Sequence, residues 1–243
     1  MTTSPATTTA AHGSAYWLDD FQTAADVRAR TADPDWFVGA RLTPAIAASL
    51  QRFQVGESGD GATLIGAADA SGDAEYAAAI RLFVAEEQNH ARMIAELLAA
   101  GGHRTIAAHW SDAVFVHVRR LLGLRTEVMV LAVAEVIALR YYRALADGGR
   151  DRLLTEMSRR ILDDEFRHVA FQGWRLRTGF SRTPRVLRRA IGAGWYVFAL
   201  AVAAVVASDH GPALADCGVG RGRFIADCAA LFRSFADQAF RHP

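Results

Sequence analysis

Glu87-Gln88-Asn89-His90 and Glu165-Phe166-Arg167-His168 are two Glu-x-x-His units set 78 residues apart, and their reading decides the fold. Residues at i and i+3 share a helix face, so on a helix each unit presents a carboxylate and an imidazole to one point. One such tetrapeptide arises often by chance in a Glu-rich helix. Two carry more weight, and each has a lone carboxylate upstream: Glu57 lies 30 residues before Glu87, and Glu135 lies 30 before Glu165. In an antiparallel helical hairpin, residues at equal height are equidistant from the turn. The two midpoints are Gly72, inside Ser71-Gly72-Asp73, and Arg150, beside Gly148-Gly149, and both are turn sequences.

The apolar pattern gives an independent check. Along one stretch, Tyr76, Ile80, Phe83, Glu87, His90, Ile94 and Leu97 alternate steps of four and three, so the carboxylate and imidazole occupy the apolar seam itself. Leu50, Phe53, Glu57, Gly61 and Leu64 form a second seam, and Val128, Leu131, Glu135, Ala138 and Tyr142 a third. These three carboxylates, with Glu165 of the second Glu-x-x-His unit as the fourth, thus converge on one core. A buried unpaired carboxylate costs several kcal/mol, whereas four carboxylates and two neutral imidazoles around two divalent cations sum to zero charge. Oxygen-dominated ligation with one imidazole per metal suits iron or manganese, and zinc less well.

Outward from the seams, the chain reads as all-α. From Tyr16 onward it is rich in Ala, Leu, Arg and Glu with 3.6-residue periodicity, and the alternating Val/Ile/Thr runs of strands do not occur. The first 15 residues are small and polar, lack the basic start and apolar run of a signal peptide, and read as a disordered tail. Breakers predict an N-terminal helix over 16–31, helix A over 44–70, helix B from 73 to 100 and a crossover with a short helix over 103–122. Helix C over 124–146, helix D over 151–177 and two further helices over 184–208 and 221–241 complete the set. The expected domains are a bundle with its N-terminal helix over 16–182 and a helical extension over 183–243.

In this pattern the sequence resembles the ferritin-like di-iron carboxylate proteins, through Glu, Glu-x-x-His, Glu, Glu-x-x-His over residues 44–177. The resemblance implies a ferritin-like four-helix bundle of two hairpins joined by a long crossover. It also implies that Glu57, Glu87, His90, Glu135, Glu165 and His168 are metal ligands, with Glu87 and Glu165 bridging two iron ions, or manganese or a mixed pair. Departures narrow the group. Ferritins proper generally lack the second histidine, and rubrerythrins need a cysteine-ligated iron that Cys217 and Cys228 cannot build. The radical tyrosine of ribonucleotide reductase is replaced by Ile94, and the extra histidine of arylamine N-oxygenases by Ile161. The oxygen-activating hydroxylases, desaturases and aldehyde-deformylating oxygenases remain. The expected function is therefore a di-iron oxidoreductase using O₂ and an electron donor on a small, apolar organic substrate. An iron-oxidising or peroxide-scavenging protein is the alternative.

Composition excludes other classes. All 27 basic residues are arginine, which removes Schiff-base enzymes, phosphate-loop NTPases and protein kinases. The net charge of +1 argues against a nucleic-acid partner, and two cysteines argue against a disulfide framework, so the cytoplasm is the expected compartment.

Several features stay open at this level. Gly56, Gly59 and Gly61 surround Glu57, each costing about 1 kcal/mol in a helix interior. They leave room beside the metals, pack helices closely, or break helix A, in which case Asp60 is the substitute ligand. Residues 190–207 are an uncharged run of about 27 Å as a helix. The run reads as a buried helix or homodimer face, with peripheral membrane contact as the alternative. Its alanines and the apolar side of the last helix, with Phe224, Cys228, Leu231, Phe232 and Phe235, favour the first. His103, His109 and His117 form a remote candidate for a third metal site. Tyr141 and Tyr142 read as core packing, with electron transfer as the alternative.

Overall fold

A computed structural model describes residues 13–108 and 124–240. Among them every regular element is a helix and no strand occurs. The greater part of the tail over 1–15, most of the crossover expected over 103–122, and His109 and His117 lie outside the described residues.

Helix α1 (Ser14–Arg30) begins inside the stretch read as tail, and Ser14 Oγ donates to Asp73 Oδ2 at 2.5 Å. It buries Trp17 and Phe21. Helix α2 (Pro44–Glu57) starts where Thr43 caps the amide of Ile46 and Pro44 takes the first turn. The expected single helix over 44–70 is interrupted: α2 ends at Glu57 and, after four intervening residues, α3 (Ala62–Asp69) resumes. The glycines cause the break. Gly61 sits at φ +64, a left-handed conformation that other residues rarely adopt, and a Cβ there would lie 2.5 Å from Val84 Cγ2. Asp60 serves the restart, its Oδ1 accepting the amide of Ala62 at 3.0 Å.

Helix α4 (Ala74–Ala100) follows the turn at Gly72, with Asp73 capping Tyr76, and stops at Gly101-Gly102. Helices α5 (Leu124–Gly148) and α6 (Arg152–Phe180) form the second hairpin, with Asp151 capping Leu154. Helix α7 (Arg185–Asp209) is followed by a short α8 (Gly211–Asp216) that the sequence pattern did not reveal, then α9 (Arg221–Ala239). Helix α5 packs along α6, α4 lies against α1, α2, α3 and α6, and α9 lies against α5, α6 and α7.

The apolar core comes in two parts with a polar layer between them. One cluster holds Leu50, Ile94, Val136, Ala138, Ile161 and the helices α7 to α9; the other holds Trp17, Phe21, Leu64, Phe83, Leu131 and Phe171. On α4 the switch falls between Phe83 and Ile94 and on α6 between Ile161 and Phe171; on α5 Leu131 belongs to the second cluster and Ala138 to the first, which also takes Val128, Ala132 and Val133 on this helix and Leu176 and Phe180 at the end of α6. Those intervals contain Glu87 and His90, Glu135, and Glu165 and His168.

Helix α7 is long and apolar enough to cross a membrane by length and composition, and 22% of its most apolar window is buried. Trp195, Ala199, Ala203 and Ala207 face the protein, with Trp195 edge-on to Phe232 at 4.8 Å. Val186, Leu187, Val197 and Val205 are exposed on the other side. The last helix covers part of the run, as its apolar side predicts.

Candidate metal centre

The six side chains singled out in the sequence meet in the polar layer. Glu57, Glu87, His90 and Glu165 form one group, and Glu87, Glu135, Glu165 and His168 form another; within each, the ligand atoms lie within 4.8 Å of one another. Glu87 and Glu165 belong to both groups, the arrangement expected of bridges. Glu57 stays in the cluster although its helix breaks, because it is the last residue of α2, just before the chain turns away. Asp60, the substitute, belongs to neither group. His103 is likewise in neither.

The cluster is dry. His90 and His168 are fully buried, Glu57, Glu135 and Glu165 are buried, and only the Glu87 side chain keeps 20% of its surface. Nδ1 of both histidines, Oε1 of Glu87 and both oxygens of Glu165 are buried and make no well-formed hydrogen bond, facing one another instead, with Nδ1 of His168 3.0 Å from Glu87 Oε1. Buried polar atoms are rarely left so, and these orphans all point into one space, which is what a bound cation would satisfy. The cluster of Glu and His side chains is competent to hold a metal ion.

Electrostatics agree. Burial, followed by repulsion from Glu87, raises the Glu57 carboxyl well above its ordinary value. Burial and the Glu135 charge raise both Glu87 and Glu165, the latter strongly. Burial disfavours charge on His168 too, but the bonds from Glu135, Glu165, Glu86 and Glu87 outweigh it and push that imidazole well up. Glu135 goes the other way: burial would raise it, but bonding to His168 and Glu165 prevails. Without a metal, protons hold such a cluster together.

A surrounding layer aims the ligands, and sequence reading missed it. Nε2 of His168 donates to Glu86 Oε2 at 2.8 Å, and Nε2 of His90 donates to Asp164 Oδ2 at 3.1 Å. Each bond holds a proton on Nε2 and turns Nδ1 towards the cluster, where it ligates an ion once its own proton is displaced. Arg28 of α1 lies 3.0 Å from Glu86 and 3.7 Å from Asp164, and Arg167 pairs with both acids. Two acids and two arginines make this layer neutral. Those contacts hold Glu86 and Asp164 ionised: burial opposes them, but the histidine bonds and the arginines lower both carboxyls below their ordinary values. Gln172 Nε2 donates to Glu135 Oε1 at 3.0 Å, and the Tyr142 hydroxyl donates to Glu57 Oε1 at 2.7 Å. A signal for the acids was present, because Glu86 and Asp164 stand immediately before the two Glu-x-x-His units and share their 78-residue offset. Arg28 had none, coming from a helix with no motif.

No protein-family model and no curated protein matches the chain.

Proposed function

We propose that this chain is a ferritin-like di-iron oxidoreductase that activates O₂ to oxidise a small, apolar organic substrate. One observation carries the reading: two ligand groups, each with one histidine, share Glu87 and Glu165 in a dry layer between two apolar clusters. Two ferrous ions in such groups supply electrons for the reduction of O₂, and manganese or a mixed pair fits the same donors. The protein's own residues hold the site. Glu86 and Asp164 keep both imidazoles in the ligating tautomer, Arg28 and Arg167 balance their charge, and Phe21 and Phe83 shield His168, with ring centroids 6.1 and 4.5 Å away.

The apolar substrate is favoured over iron handling by what approaches the cluster. A narrow cleft of about 10 Å³ lies between Leu64, Tyr76, Ile80, Phe83, Val128, Leu131 and Phe171, with Gln172 and Arg175 beside it. Gln172 touches Glu135 and Phe83 touches His168, so the cleft lies one side chain away from the cluster, and its walls are apolar apart from Gln172 and Arg175. Hydrated ions are poorly served by such walls, and O₂ and hydrocarbon groups are well served. An electron donor outside the chain completes the reaction, and a cytoplasmic location and a homodimer belong to the same proposal.

Metal analysis of the purified protein tests it, followed by O₂ consumption after anaerobic loading with ferrous ion and reduction. About two metals per chain, with O₂ uptake that an apolar substrate increases, is the expected result. A protein that binds no divalent metal overturns the proposal.

A further inference from the structure

Two adjacent tyrosines, Tyr141 and Tyr142, are fully buried on α5, and each hydroxyl has its own partner. Tyr142 donates to Glu57 Oε1 at 2.7 Å. Tyr141 Oη lies 2.7 Å from Ser49 Oγ, and Ser49 Oγ lies 2.7 Å from Nδ1 of His210. The other nitrogen of His210 lies 3.5 Å from Asp209 Oδ2, and in the tautomer protonated at Nε2 the Nδ1 atom accepts from Ser49 Oγ. Asp209 is partly exposed and pairs with Arg52 at 3.3 Å. Phe53 joins the two tyrosines: it stacks on Tyr141 at 3.7 Å and 10°, and meets Tyr142 at 5.6 Å and His210 at 4.9 Å. The tyrosine rings themselves are 5.3 Å apart.

We propose that Tyr142 and Tyr141 form a path for oxidising equivalents between Glu57 and the protein surface near Asp209, beyond the buried His210. The proposal rests on the redox reading of the metal centre. Packing alone does not account for the pair, since phenylalanines would fill the same space without burying two hydroxyls. The hydroxyls go to different partners, so a proton cannot run the whole way, whereas an electron can cross between rings in contact. Both rings are buried and both hydroxyls are bonded within the protein, so each electron must leave together with its proton to the acceptor already in place.

The balance closes. Tyr142 gives one electron to the oxidised centre while its proton moves along the existing bond to Glu57. Tyr141 then gives one electron to Tyr142, which takes its proton back from Glu57. The Tyr141 proton passes to Ser49, whose own proton goes to Nδ1 of His210. A one-electron donor of the thiol or ascorbate class restores Tyr141 from the surface, the protons shift back, and the donor loses one proton to water. The centre has gained one electron, and the protein groups have returned to their starting states. Such a path drains the oxidant when no organic substrate occupies the cleft.

The test injects the hole at the surface end of the full chain, so it does not depend on activity of the metal-loaded protein. A ruthenium tris-bipyridyl photo-oxidant is attached to Ser208→Cys, an exposed position beside Asp209, while Cys217 and Cys228 are buried. A flash with a cobalt(III) acceptor is expected to produce tyrosyl radical absorbance. Tyr141→Phe should lower its yield at least tenfold, Ser49→Ala should slow its formation at least threefold, and Tyr196→Phe should leave both unchanged. An undiminished yield in Tyr141→Phe overturns the path, even in a protein that binds two irons. Absence of bound iron, measured on the same samples, overturns the function proposed above and leaves the radical yield as a separate result.

Discussion

Glu86 reaches across from one hairpin to hold His168 on the other, with Oε2 2.8 Å from Nε2, and Asp164 returns the contact by holding His90. The two bonds tie α4 to α6 at the level of the cluster and turn Nδ1 of both imidazoles towards it before any ion arrives. Removal of a partner of this kind typically costs 10- to 100-fold in metal affinity, about 1.4–2.7 kcal/mol. Glu86→Gln keeps the volume and loses the charge, so it is expected to weaken metal binding by that factor. A chelator competition titration measures it, and an affinity equal to wild type would remove Glu86 from the set of residues that position the site.

The two ligand groups overlap at two residues only, which makes stoichiometry informative. Glu87→Ala or Glu165→Ala takes an oxygen from both groups and should abolish most metal binding. Glu57→Ala and Glu135→Ala each damage one group and should leave about one metal per chain. Asp60→Ala should retain about two, because its carboxylate lies in neither group and accepts the amide of Ala62 instead. Metal content per chain, measured after dialysis, separates these outcomes; equal loss in all four glutamate variants would contradict the division into two groups.

Stability of the metal-free protein should fall as pH rises through neutrality. Glu57, Glu87 and Glu165 have folded values raised above about 4.5, and His168 is raised above 6.5. The stability they contribute is complete below the unfolded values and is lost as pH climbs through the folded ones. Glu86, Glu135 and Asp164 are lowered and act in the opposite sense, their contribution being lost only as pH falls below about 4. Metal competes with protons at the first set, so the difference in Tm between metal-loaded and metal-free protein should widen between pH 5.5 and pH 8. A constant difference would mean that the cluster carries no protons for the metal to displace.

The hairpins and the six site positions were legible because antiparallel geometry converts equal spacing into equal height, and the 30-residue intervals with Gly72 and Arg150 at their midpoints encode it. Helical periodicity could not show that α2 stops at Glu57, since a break depends on Gly61 adopting a positive φ against Val84, a long-range contact. The arginines that neutralise Glu86 and Asp164 were hidden for a different reason. Arginine is the only cationic side chain in the sequence apart from histidine, so Arg28 carries no local mark; only the docking of α1 brings it to the acids.

The apolar helix α7 provides the last test. A helix that spanned a bilayer would have to leave the bonds it makes here: Trp195 Nε1 donates to the carbonyl of Met129 at 2.9 Å, and Arg188 donates to the carbonyl of Phe240 at 3.1 Å. Its inward side is also committed, with Ala199, Ala203 and Ala207 buried and Trp195 set among Phe232, Phe235 and Phe240. Alanine contributes little to membrane insertion, so its run does not compensate for those losses. The expected outcome is that α7 stays on the protein and that an alkaline carbonate wash of membranes leaves the protein in the supernatant. Recovery only in detergent would show that Val186, Leu187, Val197 and Val205 enter lipid, and would move the substrate expectation towards a lipid-soluble compound.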